Sequence, residues 1–370
     1  MDRSEHAARH HRVWTLIRAA ARIAAPADPL GEEARQRLPE ASGLSQAGVE
    51  LALTSHLERH PEPSDVERLL GAAWSAPRCH VLLASNVCIA AHRALAWALA
   101  TAPRVLVRPS RRDPVLAELL VRAVAESTEP ARAGWSLELC AELAPEPGDA
   151  LHLYGSDRTV GELQSRLPPG VSVQAHGTGI GVGVVGSELG LEPAARALAR
   201  DVVPFDQRGC LSPRLALVEG DAGRARALSA KLAQALDELA RSVPRGPLAP
   251  ADRAELARFV RTAEALGGCI VGSDHVVALD AAPRALLLPP ALRCVWVVPC
   301  TAAEAAALLA PWQGHVAALG GYEPAVAPGE LARAVAAFVP AARRSPLGVM
   351  QQPPLDGPVD LRPLTGRENR

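Results

Sequence analysis

From Cys79 onward the chain alternates short apolar runs with longer stretches of helical periodicity, and no other feature constrains its fold as tightly. His80-Val81-Leu82-Leu83-Ala84 reads as a strand, with a helix from Ile89 to Ala100 behind it. Arg104-Val105-Leu106-Val107-Arg108 is a second strand, ended by Pro109-Ser110. The helix that follows, Asp113 to Ala125, has Pro114 in its first turn, where a missing N–H is tolerated. Trp135 to Leu143, Ala150 to Tyr154 and Val171 to Gln174 continue the alternation. Beyond Cys210 come a strand at Arg214–Val218, helices at Gly223–Ser242 and Ala251–Leu266, and strands at Cys269–Val271, His275–Leu279 and Cys294–Val298. Strands separated by helices pair in parallel, because each helix returns the chain to the end where it started; the pattern predicts an α/β fold. Residues up to Leu70 read as helical pieces broken by Pro26, Pro29, Pro39, Pro61 and Pro63. A length of 370 residues favours two domains, and the break falls near Pro204.

Composition narrows the function by exclusion. A formal net charge of −1 gives no electrostatic footprint for nucleic acid or an anionic membrane. Lys231 is the only lysine and lies in an amphipathic helical run from Arg224 to Arg241, which removes Schiff-base chemistry from consideration. Seven cysteines without paired spacing predict a reduced, cytoplasmic protein. The polar start MDRSEHAARHHRVW lacks the apolar centre of a signal peptide. The longest apolar stretch, Val81 to Ala100, is interrupted by Asn86, His92 and Arg93, so no membrane span is expected. His6, His10 and His11 could share one side of an N-terminal helix but read as a mobile terminus, and Cys294 and Cys300 have no second pair nearby, so no metal site is expected.

A few positions can carry chemistry. Cys210 stands in Asp206-Gln207-Arg208-Gly209-Cys210-Leu211-Ser212-Pro213, after an arginine and a glycine, a setting that can lower a thiol pKa and admit a substrate to the sulfur. Gly155-Ser156 follows a strand and opens a helical run containing Gly161; such a turn is either an ordinary helix cap or a cradle for phosphate. Gly177-Thr178-Gly179-Ile180-Gly181-Val182-Gly183 is either a close backbone approach to a ligand or a flexible strand edge. Arg108, Ser110 and the pair Arg111-Arg112 form either a phosphate-binding strand end or a solvated basic turn. Asn86 either caps the next helix or presents its amide to a developing oxyanion. His176 is either a proton relay or a structural histidine at a strand end.

In their order along the chain, "ASNVCIAAHRALAWAL", "VLVRPSRRDP", "LYGSDRTVGEL", "AHGTGIGVGVVG", "DVVPFDQRGCLSP" and "LGVMQQPPLDG" resemble the acyl-CoA reductase family, the fatty-acid reductases of bacterial bioluminescence, a branch of the aldehyde dehydrogenase superfamily. The resemblance implies an aldehyde dehydrogenase-like fold, with a Rossmann-like cofactor domain and an α/β catalytic domain. On that frame residues 1–70 are an N-terminal helical segment, 71–204 bind a nicotinamide cofactor, 205–325 carry the nucleophile, and 326–370 pack back on the cofactor domain. It further implies Cys210 as catalytic thiol and Asn86 as oxyanion-hole amide. Arg108 stands where many relatives have the lysine of "KPS" beside Ser110, Gly155-Ser156 match the pyrophosphate turn, and Gly161 and Gly177 lie near the cofactor. Aldehyde-oxidising relatives carry in "ELGG" a glutamate that activates water, whereas here the nearest position is His176; the "E-x-F-G-P" segment is missing as well. The implied reaction is NADPH-dependent reduction of a fatty acyl thioester to aldehyde, with NADH as the other cofactor to be weighed. The implied donor is an acyl-CoA or acyl-carrier-protein thioester, and the implied assembly a homo-oligomer or a complex with an acyl-transferring enzyme. Aldehyde oxidation and a non-catalytic scaffold stay open at this point.

Overall fold

Helical returns between the short apolar runs produce two separate parallel sheets in the computed structural model, which describes residues 3–127, 134–283, 285–324 and 326–362. In the first, β1 (Arg78–Leu82), β2 (Arg104–Arg108), β3 (Ser136–Leu139), β4 (Ala150–Tyr154) and β5 (Ser172–His176) lie in the order β3-β2-β1-β4-β5, every pair parallel. The chain builds outward on one side of β1 and then on the other. A crevice therefore opens beyond the carboxyl ends of β1 and β4, where ligands bind in sheets of this kind. The helix Ala90–Thr101 is buried on almost every face, between this sheet and the helix Arg3–Ala24. Val13, Leu16 and Ile17 of that N-terminal helix belong to one core with Leu95, Leu99 and Leu120.

The second sheet comprises β6 (Ile180–Val185), β7 (Pro213–Glu219), β8 (Cys269–Val271), β9 (Val276–Leu279), β10 (Cys294–Cys300), β11 (Val316–Gly320) and β12 (Arg343–Ser345). Their order is β12-β11-β6-β7-β10-β9-β8, and only the edge strand β8 runs antiparallel. The chain passes from one sheet to the other between His176 and Ile180, ahead of Pro204.

Two expectations need correction. The glycine run is not a flexible strand edge: β6 is buried at all six positions and lies between β7 and β11. Glycine weakens strands in isolation, but here neighbours occupy the space of the missing side chains. A Cβ at Gly181 would stand 2.3 Å from the Leu211 carbonyl oxygen, and one at Gly183 2.4 Å from Leu198 Cδ2. Nor does Pro39 break the chain, since it lies inside the helix Pro29–Ser42. The helix carbonyl that a proline at this position leaves without its N–H partner, Arg35 O, accepts instead from Gln46 Nε2 at 3.3 Å.

After β12 the chain crosses back over both sheets. Gly348 and Met350 N–H donate to the Asp201 carboxylate, Arg93 donates to the carbonyls of Pro353, Pro354 and Gly357, and the Gln351 carbonyl pairs with His56 Nδ1. Of the expected C-terminal segment, residues 363–370 lie outside the described residues. No helix among the described residues is long and apolar enough to cross a membrane, and no three metal-ligating side chains among them converge.

Candidate active site

The loop carrying Cys210 owes its shape to backbone conformations that side chains disfavour. After the helix Leu191–Val202 and Pro204, three successive residues are left-handed: Phe205 (φ 56°), Asp206 (φ 49°) and Gln207 (φ 63°). Each costs roughly 1–2 kcal/mol. Opposite them Leu292 (φ 78°) and Arg293 (φ 65°) adopt the same conformation. A buried polar clamp joins the two segments. Arg293 donates from Nε to Asp206 Oδ1 at 3.1 Å, with Nη2 2.8 Å from the same oxygen in the ion pair, while Asp206 Oδ2 accepts the Gly246 N–H at 3.0 Å. Gln207 Nε2 donates to the carbonyls of Pro213 and Cys294 at 2.8 and 2.7 Å, and its Oε1 accepts the Cys294 N–H at 2.7 Å.

The polar residues before the cysteine are therefore framework, and the thiol-acidifying setting expected from them is absent. Arg208 lines the same cavity, but its guanidinium is engaged elsewhere, donating from Nη1 to the Ser42 carbonyl at 2.8 Å. Burial, followed by the neighbouring Asp360 carboxylate, pushes the Cys210 thiol up to about 12 against the opposing pull of Arg362, its own backbone N–H and Arg343.

Asn86 lies beyond the carboxyl end of β1, exposed, and donates from Nδ2 to the Arg208 carbonyl at 3.3 Å. It does not cap the next helix, which starts at Ala90 with Ile89 before it and no side-chain cap. The amide thus ties the first sheet to the cysteine loop. At the carboxyl end of β4, Gly155 N–H donates to the His176 carbonyl, and Ser156 Oγ accepts the Thr159 N–H at 3.2 Å, capping the helix Asp157–Gln164. Asp157 Oδ1 accepts the Thr178 N–H at 2.9 Å, and a Cβ at Gly177 would stand 2.0 Å from that oxygen.

One cavity of about 890 Å³ joins these parts; it is lined by Cys210, Asn86, His176, Gly155, Ser156 and Gly177. Arg108, Ser110 and Gly161 do not line it, but Arg112 does. Leu83, Val87, Ile89, Phe205 and Leu211 supply apolar wall. His176 is buried, its ring stacked on Tyr154 with centroids 4.8 Å apart and planes 11° from parallel. Its Nδ1 lies 3.8 Å from Asp360 Oδ2, and its Nε2 has no hydrogen-bond partner among the described residues.

Residues 71–366 match the model of the acyl-CoA reductase (LuxC) family. The chain belongs to that family. None of the curated proteins matches it in sequence. Among solved structures, it is similar to an NAD-dependent benzaldehyde dehydrogenase from Corynebacterium glutamicum, with 16% identity, a TM-score of 0.69, and coverage of 94% of this chain and 81% of that one. Lactaldehyde dehydrogenase from Escherichia coli gives 16% identity, a TM-score of 0.66, and coverage of 92% and 79%. Methylmalonate-semialdehyde dehydrogenase from Oceanimonas doudoroffii gives 16%, 0.66, and 95% and 82%. At these identities the likeness shows the fold, which is that of the aldehyde dehydrogenases.

Sequence reasoning missed several residues that surround the cysteine in this acyl-CoA reductase family member. Tyr154 and Glu58 line the cavity as well, as does Asp360, which approaches it from the far end of the chain. Arg362 reaches the same place: a Cβ at Gly179 would stand 2.8 Å from Cys210 Cβ and 3.2 Å from Arg362 Nη2. No local motif marks Asp360 or Arg362, because their relation to Cys210 exists only after the chain has closed over both sheets.

Proposed function

We propose that this acyl-CoA reductase family member reduces a fatty acyl thioester, carried on CoA or a carrier protein, to the aldehyde through an acyl group held on Cys210. The observation that carries the reading is the meeting of Cys210, Asn86 and the Gly155-Ser156 turn on one cavity, fed from both sheets. A thiol pushed up to about 12 is ionised in only about one molecule in 10⁵ at pH 7, so attack on a thioester needs a base beside it. His176 suits that role: the residue lines the same cavity, and its buried Nε2 has no hydrogen-bond partner among the described residues. It accepts the Cys210 proton as sulfur attacks, and returns it to the departing thiolate. Asn86 spends one amide hydrogen on the Arg208 carbonyl and has a second for the oxyanion.

The turn fits a dinucleotide: Gly155 and Ser156 open the helix Asp157–Gln164 toward the cavity, and backbone N–H groups at a helix start favour phosphate. Gly155, Ser156 and Gly177 would hold it, and Arg112, in place of Arg108 or Ser110, would meet its ribose, which supports NADPH over NADH. A bound nicotinamide dinucleotide supplies hydride to the acyl carbon. Cys210 then leaves as thiolate, and one proton taken up from solvent, which His176 can relay, restores the thiol. The apolar wall from Leu83 to Leu211 suits an alkyl chain.

Cys210→Ala is expected to abolish aldehyde formation from acyl-CoA and leave fluorescence quenching on NADPH titration intact. Undiminished aldehyde production by that variant removes the reading.

A further inference from the structure

The segment after β12 is bonded far more heavily than a surface tail needs to be. Asp201 accepts two of its N–H groups, Arg93 binds three of its carbonyls, and Arg343 donates to the Val359 and Pro358 carbonyls at 3.2 and 2.8 Å. Arg93 is itself held by Glu58, which also pairs with His92. Anchored in this way, the strap brings the Asp360 carboxylate to the cavity wall, with the Arg362 guanidinium paired behind it. Asp360, buried, accepts Arg362 Nε at 2.9 Å and Nη2 at 2.6 Å. Arg362 Nη1 reaches on to the carbonyls of Thr178 and Gly314 at 2.9 and 2.7 Å. Both charges act on the Cys210 thiol, in opposite directions.

We infer that the C-terminal strap completes the thiol site: Asp360 fixes the His176 ring through Nδ1–H and leaves the buried, unpartnered Nε2 to serve Cys210, and Arg362 offsets the Asp360 charge beside Cys210. The inference rests on the acyl-transfer reading above. As Cys210 Sγ bonds to the thioester carbon, its proton moves to His176 Nε2. The substrate C–S bond breaks, and the same proton goes to the leaving sulfur. While the imidazole carries that proton, Asp360 balances its charge through Nδ1–H. The other titratable groups around this pair are Tyr154 and His152 from β4, Asp157 from the following helix, His315 ahead of β11 and Arg343 from β12.

Two readouts separate positioning from bulk structure. The first is acylation, followed as CoA release from acyl-CoA in the absence of cofactor. The second is alkylation of Cys210 by iodoacetamide across pH, read peptide by peptide so that other cysteines do not interfere. Asp360→Asn is expected to slow acylation at least 100-fold, through loss of an oriented base, and to lower the pH midpoint of alkylation, because a negative charge beside the thiol is gone. A variant that is merely misfolded shifts reactivity at several cysteines. Arg362→Gln raises the alkylation midpoint, and Arg362→Lys restores it in part.

In a His176→Gln background, Asp360→Asn adds less than threefold to the acylation defect, since Asp360 works through the ring. Equal losses in both backgrounds, or an Asp360→Asn protein with acylation and alkylation unchanged, overturn the inference. If Asp360→Asn does not fold, Arg362→Gln and Arg362→Lys decide it, and an unmoved alkylation midpoint in both counts against it. Failure of the acyl-transfer reading is separate: there, wild-type protein releases no CoA while the alkylation shifts persist.

Discussion

A single methyl group distinguishes the glycines this chain needs from those it tolerates. At Gly177, Gly179 and Gly181 a Cβ would collide with Asp157, Cys210 and Leu211 respectively, so these residues let the cysteine loop and the helix Asp157–Gln164 close on one another. Gly161 is the opposite case. It is exposed in the middle of that helix, a Cβ there meets nothing within 4 Å, and it does not line the cavity. The resemblance assigns Gly161 to the cofactor, but its surroundings ask only for a helix former. Gly161→Ala is expected to stabilise the protein by about 0.5–1 kcal/mol, a rise of about 1–2 °C in Tm, with NADPH affinity unchanged in a fluorescence titration. A clear loss of affinity would put this helix face against the dinucleotide.

At the scale of elements, the cysteine loop is a strained connection between the helix Leu191–Val202 and β7, held by β10 and the segment before it. Asp206 and Gln207, with Arg208, look in sequence like the polar surroundings of a reactive thiol. In the fold Asp206 and Gln207 are buried, Asp206 against Arg293, and each polar atom of Gln207 is used to hold Pro213 and Cys294. Removing one member of a buried ion pair leaves the other charged and unpaired, a loss of about 3–5 kcal/mol. Asp206→Ala is therefore expected to lower the urea midpoint by that equivalent with an unchanged m-value, and to reduce Cys210-dependent activity along with it as the left-handed residues relax. A midpoint within error of wild type would mean that the clamp contributes no net stability.

For the molecule as a whole, buried ionisable groups set the response to acid. His152 on β4 is packed between Trp74 and Trp97, with neither ring nitrogen hydrogen-bonded among the described residues, and burial followed by His176 drives it down to about 3. The unfolded chain binds that proton near the ordinary value of 6.5 and the folded one does not. Stability is thus full above about pH 6.5 and falls on acidification at about 1.4 kcal/mol per pH unit. Glu58 adds a second loss at lower pH. Burial raises its carboxyl, but Arg93 and His92 outweigh burial and bring it to about 2, so its contribution is present above the ordinary 4.5 and is lost as pH falls toward 2. Asp201, which burial pushes up to about 7, opposes the His152 loss over the same range, so the His152 contribution is read as a difference: between pH 7 and pH 5 the urea midpoint of wild type is expected to fall relative to that of His152→Leu. An unaltered slope in the variant would assign the acid sensitivity to other groups.

Much of this architecture was legible in sequence because it is local. Apolar runs such as Arg104–Arg108 and Ala150–Tyr154 became strands at the same residues, since their hydrophobicity demands burial whatever packs against them. The order of motifs along the chain was enough for the family. β6 was missed because its glycines exist to admit Leu211 and Leu198, contacts no window of neighbouring residues contains. The same reason separates the two halves of the candidate site. Cys210, Asn86, Gly155, Ser156 and His176 stand in readable motifs, and the sequence alone brought them forward. That Arg208 faces Ser42 while Asp360 and Arg362 face the thiol was decided only by tertiary structure. Side-chain electrostatics depend on distance in space, and a strap crossing from one sheet to the other sets that distance.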